Sequence, residues 1–241
     1  MFIPLSDDNP LRAIPFQVVT VGLILANIAV FALSYATDSD TIMSFAIVPS
    51  ELFLAGASLA PIGPTVGPGA FIPEPYTLLT YMFFHADIFH LAGNMIFLWV
   101  FGDNVEDAVG HVKFLFFYLA CGVAAGLLHS FMVTGSEGAE VPLIGASGAV
   151  AGVISAYLML HPRVRVWVLA FKVIPLRISA ALVLGAWVLT QIVMLMMPEM
   201  GPVAWWAHIG GLIAGAVLIV FMRRPGVPLF DRGLSARMTA P

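Results

Sequence analysis

Six apolar runs, at about 18–36, 78–101, 114–133, 147–160, 178–197 and 203–222, divide this chain, and most of its charges lie between them. A helix rises 1.5 Å per residue, so about twenty residues cross a hydrocarbon core of about 30 Å. The sequence is 60% hydrophobic and only 10% charged, where a soluble domain carries about 25% charged residues. Lipid, not water, is therefore the main solvent this chain is built for. In lipid the backbone must satisfy itself, which leaves helices or closed barrels, and no barrel-like period-two repeat is present. The expectation is an all-α membrane protein, a bundle of six transmembrane helices in a single domain over residues 1–241.

The basic residues orient that bundle. Arg12 precedes the first run, Lys113 lies between the second and third, and Arg163, Arg165, Lys172 and Arg177 lie between the fourth and fifth. Arg223, Arg224, Arg232 and Arg237 follow the sixth. The other three connections carry Asp38, Asp40, Glu51, Glu74, Glu137, Glu140 and Glu199 and no Lys or Arg. Every basic residue thus falls on one side, and the positive-inside rule puts both termini in the cytoplasm. The expected location is a bacterial-type plasma (inner) membrane. Ser34-Tyr35-Ala36 resembles a signal-peptide cleavage site, but the apolar run is long and no basic segment precedes it, so it reads as a span. Cys121 stands alone, which excludes an intrachain disulfide and a cysteine metal site. No basic run or groove points to nucleic acid.

Two connections are more than tethers. Residues 37–76 crowd Pro and Gly between Pro61 and Pro75 yet keep Phe53, Leu54 and Phe71, so they are expected to fold against the bundle. Residues 164–174 mix Arg165 and Lys172 with Trp167, Leu169 and Phe171, which suits an interfacial segment.

The chemistry gathers in three stretches: HADIFHLAGN at 85–94, GASGA at 145–149 and AHIGGLIAG at 207–215. Counting back from Arg163 along the fourth run places Ser147 a few ångströms below the outer surface, and His208, counted from Arg223, lies at nearly the same depth. Gly148 and Gly152 form one GxxxG pair and Gly211 and Gly215 another, a spacing that lets helix backbones approach closely. His208 shares the Gly211 face. If those faces pack, serine and histidine meet.

A serine hydroxyl needs a base to become a nucleophile, and acyl transfer needs donors aimed at the oxyanion. The Ser147 N–H lies at a helix N-terminus, which favours negative charge. His90 and Asn94, four residues apart on one helical face, can both donate. No acidic residue lies in the fourth or sixth run, so the expectation is a Ser147–His208 dyad instead of a triad. Plainer readings stand beside this one. Ser147 could simply permit close packing, and His90 with Asn94 could be an interhelical pair. An intramembrane histidine such as His208 is functional by default. His85, His90 and His208 do not have the i, i+4 spacing of a helical zinc site, so no metal or other cofactor is expected. His129 and His161 lie near run ends and need no special role, and His111 is expected in a cytoplasmic loop.

At these residues the sequence resembles the rhomboid family of intramembrane serine proteases. The three motifs fall in order on the second, fourth and sixth runs, and the resemblance covers nearly the whole chain. It implies Ser147 as nucleophile, His208 as general base, and Asn94 and His90 on the oxyanion side. His85, Gly145, Gly148 and Gly211 are implied as structural residues near the site. It further implies membrane-anchored protein substrates, cut near the outer face in a site open to the non-cytoplasmic side. Two positions depart from the pattern. Ala151 stands where many relatives carry an aromatic beneath the histidine, and Tyr76-Thr77 stands near the place of a Trp-Arg pair. Two rival readings are a catalytically silent relative that binds membrane clients, and a small transporter. The first would typically lack Ser147 or His208; the second would carry charged residues at mid-depth.

Overall fold

The computed structural model describes residues 2–54, 72–170, 173–197 and 203–231. The chain is mostly helical. Strand β1 (Phe2–Asp7) leads into α1 (Val18–Ser34), then come the short helices α2 (Ser39–Met43), α3 (Pro49–Leu54) and α4 (Glu74–Thr80). After a 3₁₀ turn at Tyr81–Phe83 follow α5 (Ile88–Val109), α6 (His111–Val133) and α7 (Ser147–Leu160). Strands β2 (Arg165–Ala170) and β3 (Ile174–Ser179), α8 (Ala180–Leu195) and α9 (Trp205–Met222) complete it. Among the described residues three helices, α5, α6 and α9, are long and apolar enough to cross a membrane, whereas α1, α7 and α8 are shorter apolar helices. The Pro- and Gly-rich stretch with Phe71 lies outside the described residues.

Helix α7 is the centre of the bundle. It exposes no residue, while α1, α5, α6, α8 and α9 turn large apolar side chains outward, among them Leu25, Trp99, Phe131, Leu182 and Phe221. Its 14 residues span only about 21 Å. Being wrapped in protein, α7 has no need to match the lipid thickness.

The second span differs from expectation. Residues 78–87 do not continue it: they form α4, the 3₁₀ turn and a loop, and α5 starts only where Asp87 caps it by accepting from Phe89 N and His90 N at 2.7 and 2.9 Å. A carboxylate there satisfies free N–H groups and complements the dipole. At its other end α5 runs on to Val109 and stops at Gly110, whose φ of +90° only glycine adopts readily. The extension matters because it carries Glu106 and Asp107 to the start of α1. Glu106 is fully buried and accepts from Val19 N, Thr20 N and Thr20 Oγ1 at 2.9, 2.8 and 2.7 Å. The N-cap residue Gln17 makes no side-chain cap bond, so a residue from another helix caps α1 instead. Asp107 collects Arg12 N, Ala13 N and Ile14 N.

The all-α expectation also needs correction. Strands β1, β2 and β3 form an antiparallel sheet in that order, with Phe2 paired to Ala170 and Arg165 to Ser179. The expected interfacial segment is thus the middle of a sheet. The reason is a period-two pattern: Val166, Val168 and Ala170 are buried while Arg165 and Trp167 face outward. β-branched valines at alternate positions favour a half-buried strand.

The ends of the bundle are chemically distinct. At one end lie the sheet, the α1–α5 caps and residues 223–231 after α9. There Arg224 N donates to Ala108 O, and Phe230 N and Asp231 N donate to Met159 O and Leu160 O at the end of α7. At the other end Ile47 and Leu143 exchange backbone bonds of 3.1 and 2.8 Å, joining the connection after α1 to the one after α6. The described parts of the 37–76 connection fold on the bundle as expected, with α3 and α4, which starts within it, packed against α6.

Candidate active site

The loop before α7 is pinned from two directions. Gly145 N donates to Tyr81 O at 2.9 Å, and Tyr81, itself buried, donates its hydroxyl to Gly122 O at 2.7 Å. Gly145 has φ +121°, and a Cβ there would lie 2.7 Å from the His90 ring. Only glycine meets both demands. The turn delivers Ser147 as the first residue of α7, half-buried, with its N–H unclaimed by the helix.

Helices α7 and α9 then meet through their glycines. A Cβ on Gly211 would lie 1.9 Å from Gly148 O, and one on Gly215 would lie 2.1 Å from Gly152 O. Backbone therefore touches backbone, and His208, one turn before Gly211, reaches Ser147. His208 Nε2 lies 2.9 Å from Ser147 Oγ. The histidine is buried, 8% exposed.

The other histidine nitrogen has a partner that the sequence reading did not find. His208 Nδ1 lies 2.7 Å from Gln191 Oε1, on α8. Gln191 Nε2 donates to Trp187 O at 2.9 Å, so Oε1 is the atom left to accept from Nδ1–H. That makes Nε2 the unprotonated nitrogen, ready to accept from the serine hydroxyl. Trp187 lies beside the ring at 5.8 Å between centroids, and Trp205 meets it edge-on at 5.9 Å. These indoles flank the imidazole that an aromatic at position 151 would have packed beneath. Ala151 is buried, its Cβ 3.3 Å from where a Gly211 Cβ would stand, so a ring has no room there.

The residues of the second motif arrive by different routes. Asn94 Nδ2 is 3.0 Å from His85 Nε2. Ala146 N approaches the same nitrogen at 3.5 Å, which makes Nε2 an acceptor and Asn94 the donor. His85 and His90 stack edge-to-face at 5.0 Å, and His90 lies against Gly145. Asn94, His85 and His90 therefore surround the 145–147 turn, with Asn94 bonded to His85 and not to His90. His111 and His161 are engaged elsewhere: His111 Nδ1 is 2.5 Å from Glu106, and His161 Nδ1 is 3.3 Å from Asp231.

Comparison with known proteins bears on this arrangement. The family model for the Rhomboid domain matches residues 73–225, more than half of the chain. The chain belongs to the rhomboid family. Among curated relatives, this rhomboid is 26% identical over 219 residues to RHOMBOID-like protein 12, mitochondrial, of Arabidopsis thaliana, covering 86% of this chain and 59% of that protein. It is 27% identical over 150 residues to the mouse Presenilin-associated rhomboid-like protein, mitochondrial, covering 60% of this chain and 37% of the relative. It is 32% identical over 123 residues to Rhomboid protease GluP of Bacillus subtilis, covering 51% of this chain and 20% of the relative. The rhomboid thus spans only part of the length of each of these relatives. With the apolar helices and the family, it is a membrane protein.

Proposed function

We propose that this rhomboid is an intramembrane serine endopeptidase that cuts membrane-anchored proteins. The observation that carries the reading is the 2.9 Å approach of Ser147 Oγ to the unprotonated Nε2 of His208. In this mechanism His208 takes the Ser147 proton as Oγ attacks the scissile carbonyl, then returns it to the departing amine. Water then attacks the acyl-serine, His208 taking its proton and passing it to Ser147 Oγ as the carboxylic acid product leaves. The oxyanion is held by the Ser147 N–H at the start of α7, by the second N–H of the Asn94 amide and by His90. One relative is named a protease, which supports the same reading.

The topology is part of the proposal: all six apolar helices cross the membrane, the sheet end of the bundle is cytoplasmic, as both termini are proposed to be, and the site opens to the opposite face. The segregation of Arg163, Arg165, Arg223 and Arg224 to the sheet end supports it. The sequence-based reading of a bacterial-type plasma membrane competes with the mitochondrial location in the names of two relatives; fractionation of the source cells decides between them.

The deciding experiment is labelling of detergent-purified protein with a fluorophosphonate probe. Labelling at Ser147 that is lost in Ser147→Ala and in His208→Ala, both with unchanged melting temperature, is the expected result. A folded wild type that takes no label would instead support a client-binding protein without hydrolytic activity.

A further inference from the structure

We propose that Gln191 is a positioning residue, whose side-chain carbonyl holds His208 in the tautomer and orientation that let Nε2 receive the Ser147 proton. The inference rests on the hydrolytic reading of the Ser147–His208 pair. It turns the expected dyad into a relay of three residues from three helices, Ser147 on α7, His208 on α9 and Gln191 on α8.

Three independent features of the geometry point this way. The contact is short, 2.7 Å, and its polarity is set from behind by the Gln191 Nε2 bond to Trp187 O. Gln191 is only 3% exposed on a helix otherwise built of apolar residues, apart from the outward-facing Thr190. Burying an amide costs free energy unless both its ends are bonded, and here the carbonyl end is bonded only to the histidine. Finally, Trp187, one turn before Gln191, and Trp205, on the helix of His208, confine the ring laterally. Packing by two indoles restricts where the imidazole can go; only the Gln191 carbonyl selects which nitrogen keeps the proton.

An amide suits this place better than a carboxylate. It accepts from Nδ1–H whether the imidazole is neutral or charged, and it brings no buried charge that would need its own partner. It also places the orientation of the base under the control of α8, which contributes neither reacting group. A displacement of α8 that breaks the 2.7 Å contact would release the ring.

The test compares Gln191→Met, which keeps length and loses the acceptor, with Gln191→Glu, which keeps an acceptor, in full-length protein. Fluorophosphonate labelling gives a maximal rate and a half-saturating concentration. The expected result for Gln191→Met is a maximal rate at least about tenfold lower with the half-saturating concentration and melting temperature unchanged, and substantial recovery in Gln191→Glu. A Gln191→Met rate equal to wild type overturns the proposal, as does an equal loss in both variants at wild-type melting temperature. ¹⁵N NMR of histidine-labelled wild type, with the His208 signal identified by His208→Ala, is independent of activity. A His208 proton on Nδ1 is expected, and one on Nε2 overturns the proposal even if Gln191→Met fails to fold. If wild type takes no label, the hydrolytic reading fails, and the tautomer alone judges the Gln191 contact.

Discussion

At the scale of single residues, Asn94 offers the sharpest test of the proposed oxyanion site. One of its amide hydrogens is committed to His85 Nε2, leaving the other for the reacting oxygen. Asn94→Ala should therefore slow fluorophosphonate labelling about 100- to 1000-fold, the cost of losing one oxyanion donor. An unchanged rate would reduce Asn94 to a support for His85. Ser147 and His208 were legible in the sequence because two depth counts and two GxxxG pairs converged on them. Gln191 was not, because it is neither acidic nor on the fourth or sixth run, where a triad's third member would be expected. Its signal was present all the same: an amide in the apolar run of α8, one turn after a tryptophan. The Ala151 departure pointed the same way, since a missing aromatic requires another source of order around the histidine.

At the scale of elements, the contact of α7 with α9 is set by backbone. Gly211→Ala puts a methyl carbon 1.9 Å from Gly148 O, a clash that no rotamer relieves, so the helices must separate. The expected outcome is a loss of stability of at least about 1–3 kcal/mol together with slower labelling, because Ser147 and His208 ride on the two separated helices. Gly185→Ala on α8, where nothing lies within 4 Å of the added carbon, is the control and should leave melting temperature and labelling near wild type. If Gly211→Ala melts and labels like that control, the helix contact is wrong. Element boundaries were less legible than this contact. Hydropathy merged 78–87 with α5 because Leu78, Leu79, Met82 and Phe83 are apolar, although Asp87 is a readable N-cap. The sheet was not legible because β1 is separated in sequence from β2 and β3 by helices α1 to α7, and Asp7 and Asp8 give the β1 stretch a polar, loop-like composition.

At the scale of the whole molecule, one part-buried polar contact at the sheet end makes stability depend on pH. Asp7, at the end of β1, bonds the hydroxyl of Tyr157 on α7, and burial pushes its carboxyl up from 3.8 to about 6, against the lowering effect of the Tyr157 bond. A carboxyl whose folded value is raised stays protonated in the native state where the unfolded chain has already lost the proton. Stability should therefore fall as pH rises from about 4 to about 6, and remain at the lower level above that. Asp7→Asn, neutral throughout and still able to bond Tyr157, should flatten this part of the profile of melting temperature against pH. An identical slope in wild type and Asp7→Asn would assign the effect to other groups. The same end of the molecule explains how a central helix as short as α7 is closed off: Phe230 and Asp231, both with positive φ, fold back to satisfy its last carbonyls, and Asp231 accepts from Arg163 N at 3.0 Å.

The pairing of β1 with β2 also dictates an order of events during biosynthesis. Phe2 finds its partner in Ala170, so β1 leaves the ribosome well before anything exists for it to pair with. At about 5–20 residues per second, roughly ten to thirty seconds separate the two. Over that interval α1, α5, α6 and α7 are made while an extended strand of Phe, Ile, Pro and Leu waits without its neighbours. The sheet can close only after Ser147 and the rest of α7 have been synthesised, which makes it a late seal on the bundle and leaves β1 open to chaperone capture until then.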